Sequence, residues 1–185
     1  MRNVLFPINI TLDGSCDHTK MIGNEEILEF FTTLLRDVDL LVFGRKTYQL
    51  MVPFWPEVAK NHSGETKAAN QFAQAFDSLG KIVFSNSLAS SGDKNTRIVR
   101  TSPRDEIPKL KQERGKKIMV GGVALSSQLI EIGLVDEYLF IVNPIIAGEG
   151  KRLLEGISLH EKLQLKLVES KILNSGCVVL RYLKQ

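Results

Sequence analysis

Short apolar segments typical of β-strands alternate with helical segments up to about residue 133, and this order constrains the fold more than any other feature. The first strands are apolar on both faces, as in a sheet covered on both sides: NVLFPINI (3–10), DLLVFG (39–44), KIVFS (81–85) and KIMV (117–120). Strands at 136–146, 163–173 and 176–184 then follow each other, the last two joined by an NSG turn. The pattern predicts a three-layer α/β/α fold whose mixed, mostly parallel sheet has antiparallel C-terminal strands.

Composition limits the classes of function that the chain can have. It has 185 residues, 43% of them hydrophobic, which is enough for one core, and we predict a single domain over residues 1–185. The formal net charge is +3, and the sequence lacks the basic stripe with interleaved aromatic residues that is typical of nucleic-acid binding. No apolar run is long enough to cross a membrane. Cys16 and Cys177 show no pairing pattern, which favours reduced thiols and a cytoplasmic protein.

Two adjacent glycines stand where the strand KIMV ends and a helical pattern begins. Gly121 and Gly122 in VGGVALS would let an anionic ligand approach the backbone, and the following helix would offer unpaired N–H groups. The motif alone is equally compatible with a tight turn that needs backbone freedom.

Two further strand ends favour the ligand-binding interpretation. LVFGRKTY (41–48) ends a strand in glycine and adds Arg45, Lys46 and Thr47, and IVFSNS (82–87) ends another strand in small polar residues. The carboxyl ends of parallel strands lie along one edge of an open sheet, where ligands bind. We therefore predict a phosphate-rich ligand, with a dinucleotide as the natural candidate. The glycine fingerprint of the Rossmann fold is missing from the first strand–helix turn.

These segments resemble the dihydrofolate-reductase-like superfamily. The resemblance also includes TLDG (11–14) and the stretch IMVGGVALSSQLIEIGLVDEYLFIVNPIIAGEGKRLL. The resemblance runs from about residue 3 to about residue 183, in order and in spacing. It is greatest to the branch that contains the C-terminal reductase domain of the bifunctional riboflavin-biosynthesis deaminase/reductase. Membership of that branch implies the same fold, a homodimer and NADPH as cofactor.

The resemblance assigns cofactor contacts to the strand ends. The Gly-Arg-x-Thr segment of the family meets the cofactor phosphates, and the small polar residues of the next strand end lie near the adenosine ribose and its phosphate. The Gly-Gly turn, often with a cis peptide bond in the family, supports the nicotinamide and the pyrophosphate. The implied cofactor-binding residues are Gly44, Arg45, Thr47, Ser85, Asn86, Gly121, Gly122, Val123 and Ala124. Thr47 is also compatible with an ordinary position in the first turn of a helix.

Substrate contacts are implied at three further places. TLDGS resembles the family segment beside the nicotinamide, so Leu12 and Asp13 are candidates, with Asp13 as the candidate proton donor; a plain turn is the alternative. Trp55 is a candidate for packing over a planar ring, or else an aromatic anchor for its own loop. Gly148 and Gly150 resemble a glycine-rich turn near the pocket mouth, or else form an ordinary loop.

The predicted activity is hydride transfer from NADPH to a small planar heterocycle or sugar-like substrate, similar to 5-amino-6-(5-phosphoribosylamino)uracil reductase. The alternative is a catalytically silent NADP(H)-binding module or sensor of the same fold. His18, His62 and His160 share no metal-binding spacing with each other or with a cysteine pair, so we predict no metal site.

Overall fold

The computed structural model describes residues 1–21, 23–157 and 159–185. The strands are β1 Val4–Thr11, β2 Val38–Gly44, β3 Gly80–Phe84, β4 Thr96–Val99, β5 Lys117–Gly121, β6 Glu137–Asn143, β7 Leu165–Ile172 and β8 Val178–Lys184. The helices are α1 Glu25–Leu35, α2 Arg45–Met51, α3 Phe54–Asn61, α4 Lys67–Ser78, α5 Pro103–Gln112 and α6 Val123–Glu131, with a 3-10 turn at His18–Lys20.

The strands form a mixed sheet in the order β4-β3-β2-β5-β1-β6-β8-β7. Strand β3 pairs in parallel with both β2 and β4, and β1 pairs in parallel with β6. Strand β8 is antiparallel to both β6 and β7. The predicted three-layer α/β architecture, mostly parallel with antiparallel C-terminal strands, is confirmed.

Clustering of backbone contacts divides the chain into two compact units. The first unit contains residues 1–2 and 24–119, and the second contains residues 3–23 and 120–185. Because each unit collects residues from separate parts of the chain, the boundary does not follow a linker. That the whole chain forms one domain stays a prediction.

The first unit is held together by an aromatic cluster under its helices. The ring of Phe72 on α4 lies 4.7 Å from that of Trp55, 5.9 Å from that of Phe76 and 6.5 Å from that of Phe31, measured between centroids. Phe72 and Phe76 are buried, and Phe76 also contacts Phe43 of β2. Rings at these separations and tilts bury much apolar area in favourable geometry, so they fix α1, α3 and α4 against one another.

Local sequence explains where several helices of the first unit begin. The side chain of Asn24 accepts a hydrogen bond from the Glu26 amide at the start of α1. Thr66 caps α4 in the same way, and Ser102 caps α5, which has Pro103 at its first position. Helix α3 was not predicted, because Pro53 and Pro56 suggested a loop; both lie at its start, where a helix tolerates proline.

In the second unit, β1, β6, β8 and β7 are joined in register, with Thr11 opposite Asn143 at the ends of β1 and β6. The predicted hairpin between β7 and β8 is present. The Leu173 amide donates to the Cys177 carbonyl at 2.9 Å, and Gly176 has a φ of 81°, which glycine adopts readily. Leu139, Ile141 and Val179 are buried in the core of this unit.

Candidate functional site

Three parallel strands of the first unit end side by side. Gly44 of β2 is opposite Phe84 of β3, and Phe84 is opposite Val99 of β4. The next residue after each strand end is therefore Arg45, Ser85 or Arg100. Neighbouring strands lie about 5 Å apart, so two arginines and a serine hydroxyl share this stretch of the sheet edge. We call it the basic edge, made of residues 44–47, 85–88 and 100.

The predicted phosphate-binding residues lie on the basic edge at the start of α2. Arg45 and Lys46 are exposed, and Thr47 is half-buried. Arg45 donates a 3.3 Å hydrogen bond to Gln49, one turn further along, so its charge stays accessible. Tyr48 is buried, and its hydroxyl donates to the Ser91 carbonyl at 2.5 Å. This bond ties the helix that begins at Arg45 to the loop that begins at Ser85.

The loop after β3 is organised by a residue that the sequence analysis missed. The guanidinium of Arg100 donates to the carbonyls of Ser85, Asn86 and Leu88 at 3.3, 2.9 and 3.1 Å. The Ser85 hydroxyl in turn accepts from the Leu88 amide at 3.0 Å, which closes the turn. The sequence did contain a signal for Arg100, because this arginine directly follows the strand segment TRIV, just as Arg45 follows its strand end. The exposed Asn86 side chain is thus presented by a turn with a fixed backbone.

Trp55 also belongs to the first unit, but its ring is engaged in helix packing. It lies on α3 and meets Phe72 edge-on, with an interplanar angle of 74° and a centroid separation of 4.7 Å. Phe54, which meets Trp55 at 4.9 Å, is 56% exposed. These ring contacts fit the alternative interpretation of Trp55, an aromatic anchor for its own segment. Contact of Trp55 with substrate stays a prediction.

The Gly-Gly turn lies in the second unit, at the junction of β5 and α6. Gly122 has φ 95° and ψ 135°, a conformation that L-residues rarely adopt, and it precedes the first residue of α6, Val123. Within the described chain no side chain caps this helix start. The amides of the first turn of a helix have no partner in the helix itself, so they suit an anionic ligand here. The cis peptide bond expected from the family is not found among the described residues.

The loops after β1 and β6 are joined by a carboxylate. Asp13 accepts hydrogen bonds from the Thr11 hydroxyl at 2.5 Å, the Ala147 amide at 3.1 Å and the Gly148 amide at 2.8 Å. The Leu12 amide donates to the Ile145 carbonyl at 2.8 Å, while the Leu12 side chain is 62% exposed. The structure therefore brings Leu12, Asp13 and Gly148 together, and their contact with substrate stays a prediction.

These hydrogen bonds stabilise the ionised form of Asp13. The bond from the Thr11 hydroxyl, then those from the Ala147 and Gly148 amides, lower the pKa of the Asp13 carboxyl from 3.8 to about 2. An aspartate is an anion at neutral pH even at its ordinary pKa, and here the anion serves as a hydrogen-bond acceptor. An ionised carboxylate has no proton to give, so this geometry does not suit the predicted role of Asp13 as proton donor.

The two glycines of the following loop have different surroundings. At Gly148, with φ 73°, a Cβ would meet no atom within 4 Å, so its surface side is open. At Gly150, with φ 111°, a Cβ would lie 2.3 Å from the Ser15 hydroxyl oxygen. Gly150 is required for the contact with the 15–17 loop, where the Cys16 amide donates to the Lys151 carbonyl at 2.7 Å. Of the two, Gly148 has the space to approach a ligand.

No group of three or more His, Cys, Asp or Glu side chains in residues 1–21, 23–157 and 159–185 could hold a metal ion. None of the helices in those ranges is long and apolar enough to cross a membrane.

The sheet order, the antiparallel C-terminal strands and the glycine-containing strand ends define a three-layer α/β protein of the dihydrofolate-reductase-like class. Within that class the chain belongs to the family of the RibD C-terminal domain, whose model matches residues 2–179. The predicted family is thereby confirmed.

Relatives in sequence come from Bacillus subtilis (strain 168). The chain is 29% identical over 185 residues to the uncharacterized protein YyaP, a match that covers 98% of this chain and 94% of YyaP. It is 26% identical over 161 residues to the uncharacterized protein YwjB, covering 83% of this chain and 79% of YwjB.

Solved structures share the fold at low sequence identity. A Shewanella sp. PV-4 protein, provisionally described as a riboflavin biosynthesis protein, has a TM-score of 0.73 at 20% identity, with 100% of this chain and 99% of that chain covered. The diaminohydroxyphosphoribosylaminopyrimidine deaminase/5-amino-6-(5-phosphoribosylamino)uracil reductase of Thermotoga maritima has a TM-score of 0.68 at 17% identity. That match covers 100% of this chain and 57% of the Thermotoga chain.

Proposed function

We propose that this protein is an NADPH-dependent reductase that transfers hydride to a small planar heterocycle or sugar-like substrate. The observation that carries the proposal is the basic edge, where Arg45, Ser85 and Arg100 follow three adjacent strand ends in register. The accessible guanidinium of Arg45 suits a phosphate group, and the guanidinium of Arg100 fixes the turn beside it. Membership of the RibD C-terminal domain family supports a reductase-like activity.

Each predicted cofactor contact has a proposed task. Gly44, Arg45 and Thr47 hold phosphate, while Ser85 and Asn86 hold the adenosine ribose with its extra phosphate. That third phosphate is what separates NADPH from NADH, and Arg45, which follows the strand end next to that of Ser85, is proposed as the cation that gives the preference. Arg100 is a positioning residue, because it fixes the backbone of the turn that presents Asn86. Gly121, Gly122, Val123 and Ala124 support the pyrophosphate and nicotinamide with backbone groups.

NADPH would supply the hydride, and the protein would orient the reacting rings and exclude water. Leu12 and Gly148 are proposed to border the substrate, since the Leu12 side chain is exposed and Gly148 is open on its surface side. Asp13 is proposed to hold these two segments at a fixed separation by its hydrogen bonds to the 147–148 amides. The proton that completes reduction would come from water or from a neutral polar group.

A substrate like that of 5-amino-6-(5-phosphoribosylamino)uracil reductase is proposed because the Thermotoga maritima structure, whose description names that activity, has the same fold. The proposed cytoplasmic location follows from the free state of Cys16 and Cys177. We also propose that the chain forms a homodimer, as its family implies, with a mass in solution of twice 20.7 kDa.

A comparison of two adjacent cations tests the cofactor assignment. Arg45→Ala should weaken NADPH binding at least about tenfold, since a lost charge-assisted hydrogen bond amounts to about 1.5–3 kcal/mol. NADH binding should change much less. Lys46→Ala is the matched control, because Lys46 is an exposed cation one residue further along. The measurement is fluorescence or calorimetric titration of each variant with both nucleotides. Equal loss for NADPH and NADH would contradict the role of Arg45.

One observation favours the silent-module alternative. The only carboxylate nominated as proton donor, Asp13, is ionised and engaged in three hydrogen bonds. The test is NADPH oxidation with a panel of pterins, pyrimidines and small carbonyl compounds, run beside the binding titration. Turnover of any panel member supports the reductase. Tight NADPH binding without turnover supports the module, and absence of NADPH binding rejects both.

A further inference from the structure

Strand β7 is the last strand of the sheet and is exposed along almost its whole length. It pairs only with β8 among the described strands, and each of its own residues after Leu165, up to Ile172, is solvent-exposed. The exposed side chains include large apolar ones: Leu167 at 49%, Val168 at 45% and Ile172 at 78%. An edge strand also presents unpaired N–H and C=O groups on its outer side, so β7 offers a surface for strand pairing.

The sequence of this edge is complementary to itself. Residues 168–172 read Val-Glu-Ser-Lys-Ile, so positions at equal distance from Ser170 carry a matching pair. In an antiparallel pair of two such strands related by a two-fold axis at Ser170, Glu169 of each strand would lie opposite Lys171 of the other. The register of β7 shifts between Leu167 and Glu169, so the regular part of the matched stretch is residues 169–171. Directly opposed residues in antiparallel strands have Cβ atoms about 5 Å apart, so both ion pairs could form.

The pairing of β7 with β8 leaves the side chains of residues 169–172 accessible to a second strand. Glu169 and Lys171 lie on one face, opposite Arg181 and Val179, and Ser170 and Ile172 lie on the other, opposite Leu180 and Val178. The Glu169 carboxylate is 3.6 Å from Arg181, whose closer partner is Glu137 at 2.7 Å. Within the described residues, Lys171 has no ion-pair partner.

The face that carries Ser170 and Ile172 continues as an apolar surface. Leu180 and Tyr182 of β8 are half-buried on that face, opposite Ser170 and Leu167. The ring of Tyr182 meets that of Phe140 on β6 edge-on at 6.1 Å. A partner strand at the edge would therefore lie beside apolar side chains that it could partly cover, in addition to its backbone hydrogen bonds.

We propose that β7 pairs in antiparallel fashion with β7 of a second copy of this chain, about a two-fold axis at Ser170. The partner is a second copy because an identical strand supplies the matching order of acid, serine and base. A two-fold interface uses the same patch on both subunits, as this self-complementary segment requires. The inference rests on the proposed homodimer and assigns its surface.

A charge swap tests the ion pairs. Lys171→Glu would place four carboxylates at the seam, and Glu169→Lys would place four ammonium groups there. Each single change should weaken dimerisation at least about tenfold, because like charges directly opposed are unfavourable. The double variant Glu169→Lys/Lys171→Glu restores both pairs and should return the dissociation constant to within about threefold of the original. Circular dichroism of each variant checks that it is folded, and sedimentation equilibrium gives the constants.

Cross-linking tests the position of the axis. In Ser170→Cys the two introduced thiols would face each other, so mild oxidation should produce a disulfide-linked dimer on a non-reducing gel. Ser78→Cys, at the exposed end of α4, is the matched control, and the original chain with Cys16 and Cys177 gives the background. If neither single charge change weakens the dimer, or if the double variant fails to restore it, the assignment of β7 as the interface is wrong. The proposal of a homodimer is unaffected by either result. A monomeric original chain overturns both, and β7 is then an edge protected by its lysines and its bulge at Leu167/Glu169.

Discussion

At the scale of single residues, some charged side chains are accessible to a ligand, whereas others hydrogen-bond to the backbone of loops. Arg45 is exposed and keeps its charge accessible, whereas Arg100 uses its guanidinium on three carbonyls. Asp13 resembles Arg100 in this respect, because its carboxylate is occupied by donors from two loops. Predictions at this scale therefore concern loop geometry as much as chemistry.

For Asp13, we predict a pH-dependent stability difference between the original chain and Asp13→Asn. The folded-state pKa of about 2 lies below the ordinary 3.8, so the fold favours the ionised carboxylate. Its contribution is complete above the ordinary pKa and is lost as pH falls through about 2. The variant should thus be less stable at neutral pH, and the two unfolding curves should converge in strong acid. Thermal unfolding across the acid range measures this, and a difference independent of pH would contradict it.

For Arg100, we predict that Arg100→Ala lowers the free energy of unfolding by about 1 kcal/mol, because exposed hydrogen bonds contribute modestly. NADPH affinity should fall about tenfold, since the turn that presents Asn86 loses its fixed backbone. Arg97→Ala is the control, because Arg97 is an exposed arginine on β4, the strand that Arg100 follows, and its partner is Glu106. Urea unfolding and nucleotide titration measure both effects. If the two variants behaved alike, the positioning role would be wrong.

At the scale of elements, strand ends and the loops that follow them carry the candidate site, while helices such as α3 and α4 supply rigidity through packed rings. Glycines mark the places where one loop approaches another or where a helix starts. Gly122 starts α6 with a positive φ, and Gly150 sits against the 15–17 loop.

A pair of glycine substitutions in the 147–150 loop separates backbone strain from steric overlap. Gly148→Ala meets no neighbour and carries only the cost of a positive φ, about 1–2 kcal/mol. Gly150→Ala adds a methyl group 2.3 Å from the Ser15 hydroxyl oxygen, so the loops must separate. We expect Gly150→Ala to lower the free energy of unfolding by at least about 1 kcal/mol more than Gly148→Ala. Chemical denaturation of both variants tests this, and equal costs would show that the 15–17 loop adapts freely.

At the scale of the whole molecule, a modest positive charge and a glycine-rich set of strand ends fit an anionic cofactor. The formal net charge of +3 adds only a weak general attraction, so specificity must come from the basic edge. Binding of a nucleotide to the folded state alone stabilises the entire chain by mass action.

The corresponding prediction is a thermal shift. NADPH at one hundred times its dissociation constant should add about 2.7 kcal/mol to the free energy of unfolding. For a chain of this length that corresponds to a rise in Tm of roughly 5–10 °C. Arg45→Ala at the same NADPH concentration should show a smaller rise. Differential scanning calorimetry measures both, and an unchanged Tm with saturating NADPH would contradict the cofactor proposal.

Much of the fold was predictable because its determinants are local. Apolar runs and helical spacing depend on residues a few positions apart, and the caps at Asn24 and Ser102 act within one turn. The strand ends at Gly44 and Gly121 follow from the same patterns, so the family and the architecture could be inferred before any coordinates. The short helix α3 was missed because its prolines suggest a loop until the start position is known.

By itself, then, the sequence determined the strand–helix order, the family and the strand ends at which a ligand is expected. Only the tertiary structure decided what individual polar groups do. Lys81, predicted merely to open a strand, is 1% exposed and has its ammonium group 3.7 Å from Asp93 and near two carbonyls. The Asp13 carboxylate is held by the amides of Ala147 and Gly148, 134 and 135 positions away. The physical reason is that burial, hydrogen bonding and pKa depend on neighbours in space, and residues distant along the chain become neighbours only when it folds.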